Sequence, residues 1–231
     1  MSFCHFIFVC GDDASLKLSE EAVAFVRETV RRIDDLKRAI LYLPANARDY
    51  YTDDGAAPHL ALQLYYGSIE AAEAAMSGPL KALDNPALWH EIGSAAFEHQ
   101  LMVARGYPVD NPAWSPDGSE PPCAYLVHYP GAAEDFNSWL DYYLDHHPQI
   151  MRTFARIREI EIYTRADWRD TLGWQRADYM QRNRLIFDSA AALEAALNST
   201  VRHDMREDFL KFPPFTGSNI HYPMYKFELT P

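Results

Sequence analysis

The chain repeats itself. The run at residues 4–11 (CHFIFVCG) recurs in outline at 123–131 (CAYLVHYPG), 36–42 recurs at 157–163, and 66–76 recurs at 187–197. The three matches keep their order and lie at offsets of 119 to 121 residues. A tandem duplication restricts the fold to a unit that can be built twice and joined to its own copy. Between the copies, residues 106–122 hold Pro108, Pro112, Pro116, Pro121 and Pro122, five of the fifteen prolines. Proline fixes φ and removes a ladder donor, so this stretch reads as a linker. The organisation expected is repeat one at 1–105, a Pro-rich linker at 106–122 and repeat two at 123–231.

Within repeat one, residues 3–10, 38–43, 60–66 and 95–104 read as strands. Residues 22–33, capped by Ser19, and 68–83 carry apolar stripes at helical spacing. Repeat two gives strands at 124–129, 159–164, 179–187 and 221–229, with helices at 133–146 and 190–198. The order β-α-β-β-α-β is the ferredoxin-like unit, whose antiparallel sheet carries both helices on one face. The expected fold class is therefore α+β: two tandem ferredoxin-like βαββαβ repeats, their antiparallel sheets packed face to face as an α+β barrel.

Composition narrows the function. The 231 residues hold 33 acidic against 21 basic side chains, a net charge of -12, which excludes a nucleic-acid partner held by clustered Lys and Arg. No apolar run reaches the roughly 20 residues of a membrane span, and the apolar start lacks a basic flank and a cleavage site. Cys4, Cys10 and Cys123 sit in no zinc or disulfide spacing. A cytoplasmic location without membrane partners is expected. No HExxH, GxSxG, P-loop or GxGxxG occurs, the nine histidines make no three-ligand metal spacing, and no cofactor is called for.

The second repeat carries a family resemblance. Residues 131–148, with Trp139, Tyr143 and His147 at successive i, i+4 positions before Pro148, resemble the first-helix motif of the EthD-like branch of the dimeric α+β barrel superfamily. Residues 185–189 with Leu193 and Leu197 resemble its third strand and second helix, and Asp208-Phe209 and Lys211-Phe212 the segment before its last strand. In residues 1–105 only the fold pattern is shared. The resemblance implies a small enzyme or accessory protein of aromatic, ether or polyketide metabolism, typically without cofactor. Strand edges and the aromatic surface invite pairing of whole chains into a homodimer.

The residues themselves leave two readings at most positions. His147 is either a general acid/base or a histidine held at a helix C-terminus by the helix dipole. Trp139, Tyr143 and His147 share a helix face, as the wall of an aromatic substrate pocket or as core. His146 points about 100° away, toward solvent or the other flank of the cleft. His128 and His221 lie on the first and last strands of the repeat, expected not to be neighbours yet both to reach the open face, with Tyr225 in the phase of His221. Arg182 and Arg184 face the barrel interior if Leu185 and Phe187 pack under the helices. Burying them demands an anion, from the protein or from a substrate. Tyr50, Tyr51 and the aromatic loop 168–174 are candidate entrance linings. The function expected is a cofactor-independent lyase, decarboxylase or isomerase for a small aromatic metabolite, His147 or His146 serving as base and Arg182 or Arg184 as electrostatic partner. The alternatives are a binding protein that sequesters a hydrophobic metabolite and a cofactor-free monooxygenase. A haem-binding variant would need an axial histidine inside the barrel, from His128 or His221.

Overall fold

A computed structural model describes residues 2–114 and 120–229. The first half runs β1 (Ser2–Cys10), α1 (Glu20–Arg31), β2 (Leu36–Pro44), β3 (Leu60–Tyr66), α2 (Ile69–Ser77), three short 3-10 turns and β4 (Ala96–Tyr107). The second runs β5 (Cys123–Tyr129), α3 (Phe136–Met151), β6 (Ile157–Arg165), the two-residue β7 (Gln175–Arg176), β8 (Gln181–Phe187), α4 (Ala190–Leu197), α5 (Thr200–Phe209) and β9 (Ile220–Leu229). Each half orders its strands as a ferredoxin-like sheet, β4-β1-β3-β2 and β9-β5-β8-β6. Antiparallel pairings β2–β9 and β4–β6 then join the two sheets at both edges. Eight strands thereby close into one barrel, which leaves none of them with a bare edge. The closing strand β4 runs two residues past the expected end of repeat one, because Gly106 and Tyr107 still pair with Glu161 and Ile160. Residues 115–119 of the expected linker lie outside the described residues.

The strand registers fix how the halves correspond. Phe3 pairs with Tyr66 where Cys123 pairs with Phe187, so position 3 answers to 123 and Phe8 to His128. The sequence match that set Cys4 against Cys123 was therefore one residue out of register, a slip that exchanges the two faces of a strand. The same reasoning matches His99 to His221: Phe3 faces Val103 in β4, and Cys123 faces Tyr225 in β9.

Two faces mean two kinds of core. The helix faces bury separate clusters, one around Val26, Leu62 and Trp89 and one around Trp139, Leu185 and Phe187. The barrel interior is filled by Phe6, Phe8, Tyr42, Tyr65, Met102 and Tyr163, among others. Arg182 and Arg184 point into it, each with a carboxylate supplied by the protein. Arg184 meets Glu159 at 2.6 Å and Glu161 at 2.7 Å, and Arg182 meets Glu98 at 3.2 Å. Tyr65 and Tyr163 both donate to Glu161 Oε2. Lys226 and Arg38 complete the cluster on Glu159.

Three helical expectations needed correction. The helix expected over 68–83 ends at Ser77, because Gly78-Pro79 breaks it into 3-10 turns. The helix expected to stop at His146 continues to Met151 with Pro148 inside it, since its buried face (Trp139, Tyr143, His147, Met151) stays on the sheet. Helix α5 was not expected at all. Its apolar residues Val201, Met205 and Phe209 form only a thin stripe among charges.

Two outcomes test the interior cluster. Arg184→Gln leaves Glu161 without a cation in the barrel and should cost about 3–5 kcal/mol in denaturant unfolding; a loss below about 1 kcal/mol would mean that water screens it. Burial raises the Glu159 carboxyl, but the charges of Arg184, Lys226 and Arg38 outweigh it and hold the group down to about 2. Its folded pKa lies below the unfolded one, so its stabilisation is complete above about pH 5 and fades as pH falls toward 2. Replacing Glu159 by Gln should flatten that limb of the unfolding curve.

Candidate functional site

Each half sends its long strand-two-to-strand-three loop across the seam onto the other half. The loop at 166–180 drops Trp168 and Leu172 onto the helix side of the first sheet, where both are buried in its core. Beneath Trp168, His5 Nε2 donates to His99 Nδ1 at 3.0 Å, and His99 Nε2 donates to Asp170 at 3.2 Å. Burial, and then the neighbouring His99, pushes His5 well below the usual imidazole range. The first half is thus plugged between sheet and helices.

The reciprocal loop at 45–59 instead bridges the second half at its rim. Asp49 receives Arg202 at 2.9 Å and the Tyr125 hydroxyl, and Asp54 receives His221 Nδ1 at 2.6 Å. Thr52 stands between them at the opening of a cleft. The floor is the outer face of β5 and β8 (Tyr125, Val127, Leu185, Phe187), and the roof is Met151, Phe154, Met205 and Phe209. The cleft holds about 560 Å³ of empty space with its open mouth included, but its closed interior is only about 40 Å³. That interior suits about three waters. A ring must part the side chains to enter.

His147 and His221 both line this cleft, and each gives Nδ1 to a carboxylate. The His147–Asp208 contact is 2.6 Å, between side chains that are almost fully buried. Burial raises the Asp208 carboxyl, yet the hydrogen bond and charge of His147 prevail and hold it below its ordinary range. An ionised carboxylate only accepts, so the proton sits on His147 Nδ1 and the lone pair on Nε2. Burial in turn lowers the His147 pKa, opposed by Asp208, so the ring is neutral at pH 7. Among the described residues Nε2 has no partner. A neutral imidazole with its free lone pair in a cleft and a carboxylate behind it has the arrangement that proton abstraction requires.

Helix α5 supplies the rest. Arg202 spends Nε and Nη2 on Asp49, while Nη1 has no partner among the described residues. Asn183 donates Nδ2 to the Tyr143 hydroxyl at 2.6 Å, and its buried Oδ1 is unpartnered. Asp208, Arg202 and Asn183 were all missed in the sequence. The four-residue spacing of Val201, Met205 and Phe209 was the signal that could have revealed α5.

The other expected site residues are elsewhere. Trp139 stacks on Tyr143 at 5.1 Å within an aromatic core that includes Phe212, and neither ring lines the cleft. His146 is exposed and packs on Tyr142, its Nδ1 donating to the Tyr142 carbonyl. Tyr225 borders a separate surface groove near Leu16 and Phe227. β5 and β9 are neighbours, contrary to expectation, and His128 and His221 point to opposite faces because Val127, not His128, pairs with His221. His128 lies inside the barrel, accepting from Arg182 Nη1 at 2.8 Å. Arg182 and Arg184 lie on the interior face, so they cannot share a ligand with His147. A haem inside the barrel does not fit either: Phe8 and Tyr222 pack the His128 ring at 5.2 and 5.3 Å, and these side chains fill the space a macrocycle would need. His147 is not at a helix end, which removes the dipole explanation for it.

The sequence matches no family model and no curated protein sequence. Solved structures do match. An anthrone oxidase-like protein superposes over 100% of this chain and 94% of its own, with 12% identity and a TM-score of 0.61. A putative monooxygenase from Lactobacillus acidophilus NCFM covers 99% and 96%, with 7% identity and a TM-score of 0.55. A chlorite dismutase mutant from Candidatus Nitrospira defluvii covers 96% and 90%, with 12% identity and a TM-score of 0.51. This is the dimeric α+β barrel fold, with both halves on one chain. At such identities the likeness is one of fold. No helix among the described residues is long and apolar enough to cross a membrane.

NMR reads the protonation of this pair directly. The His147 imidazole should titrate below the usual histidine range, and Asp208→Asn should lower it further by removing the one charge that raises it. A rise on that substitution would mean that Asp208 does not face Nδ1.

Proposed function

We propose that the chain is a cofactor-independent enzyme that takes a proton from a small aromatic metabolite, with His147 as the base. The observation that carries this reading is the His147–Asp208 pair, oriented with Nε2 free in an apolar cleft. Nε2 accepts the proton from an acidic C–H or phenolic O–H. The imidazolium formed is stabilised by Asp208, and Arg202 Nη1 offers a donor to the oxygen that takes up the negative charge. An isomerase would return the proton to a second carbon. A decarboxylase would give it to the carbanion left by carbon dioxide.

The oxygenase alternative begins with the same deprotonation, and it draws support from the oxidase-like and monooxygenase names of the similar folds. Anthrone serves as probe for both. Without dioxygen, exchange of its methylene protons into D2O reads the base step alone. With dioxygen, anthrone would lose two hydrogens and gain one oxygen to become anthraquinone, one water being released.

The enzyme should accelerate exchange over buffer, and His147→Gln should reduce the acceleration by about 10²–10⁴-fold with the fold intact. The acid limb of the rate should lie below pH 6.5, because the base is active only while neutral and its pKa is lowered. Exchange no faster than in buffer, or unchanged in His147→Gln, would refute the reading.

A further inference from the structure

The cleft has one more charged side chain at its mouth. Arg206 lies one helical turn beyond Arg202 and lines the same opening. Arg202 has its charge paired with Asp49 through Nε and Nη2, and Arg182, Arg184, Arg158 and Arg38 each have a carboxylate within 4 Å. Arg206 has none. Among the described residues its guanidinium makes neither an ion pair nor a hydrogen bond, although the chain carries an excess of acidic side chains. It is nonetheless placed, lying 5.8 Å from the Tyr51 ring and 5.3 Å from the Phe209 ring. Tyr51 is itself tied down by a hydrogen bond between its hydroxyl and His203 Nδ1. Neither ring takes an N–H group in a conventional hydrogen bond, so the guanidinium keeps the donors with which it binds a carboxylate in bidentate fashion.

The acceptors deeper in the cleft, His147 Nε2 and Asn183 Oδ1, ask for a donor and would repel an anion. The polarity of the cleft therefore runs from cation at the mouth through apolar walls to acceptors at depth. We infer that the cleft takes an anionic aryl compound, its carboxylate on Arg206 and its ring between the β5/β8 floor and Phe209. This names the substrate class for the site proposed above and rests on that placement, but not on proton transfer occurring there.

The test is binding, measured by calorimetry with 2-naphthoate and its neutral isostere 2-naphthamide. The wild-type protein should bind the acid at least about 10-fold more tightly than the amide, the worth of one charge-assisted contact. Arg206→Gln should remove that preference while leaving amide affinity unchanged, and Arg206→Lys should restore part of it. His147→Gln should keep the preference, so a failure of the proton-transfer reading remains distinguishable from a failure of this one. Equal affinity for acid and amide, binding of neither, or a preference that survives Arg206→Gln would each overturn the assignment.

Discussion

Arg184 is a guanidinium with no exposure to water in the middle of a β-barrel. An isolated charge there would be prohibitive. Glu159 and Glu161 answer it, the hydroxyls of Tyr65 and Tyr163 donate to Glu161 Oε2, and Lys226 and Arg38 balance the remaining charge. The cluster draws on β2, β3, β6, β8 and β9, so it ties the two halves together across a seam. It also occupies the interior. The barrel is packed with ion pairs and aromatic rings, whereas the cleft that holds His147 lies outside it, between sheet and helices.

There the duplication offers two places, and the crossing loops decide between them. The registers make His99 and His221 counterparts, and each binds an aspartate from the loop of the opposite half, Asp170 and Asp54. The latch is shared, but what accompanies it differs. One loop brings Trp168 and Leu172 and fills the space; the other brings Thr52 to the lining of the cleft and Asp49 to Arg202 beside it. The two loops thus leave the first half plugged and the second with a cleft lined by His147 and His221.

Much of this was legible in the sequence because period and repetition are local signals. The βαββαβ order, the doubling and the inward aim of Arg182 and Arg184 all followed from alternation along strands. The first repeat match failed by one residue, enough to exchange faces, because Cys4 and Cys123 are identical without being equivalent. Asp208 was invisible as the partner of His147, being 61 residues away on a helix whose charged composition hid its stripe. The helix expected to end at His146 runs on through Pro148, because packing of Trp139, Tyr143 and Met151 carries it past that residue. Strand faces are set by neighbours in the chain. Sites are set by segments that meet only after folding.

The claim on which the account depends is that ligands bind only in the second-half cleft. An NMR titration with 2-naphthol, following histidine and tryptophan side-chain signals together, tests it in one experiment. The account predicts shifts at His147 and His221, with His128 inside the barrel and His5, His99 and Trp168 in the plugged half unmoved. Shifts led by His128, or by His99 and Trp168, would contradict it.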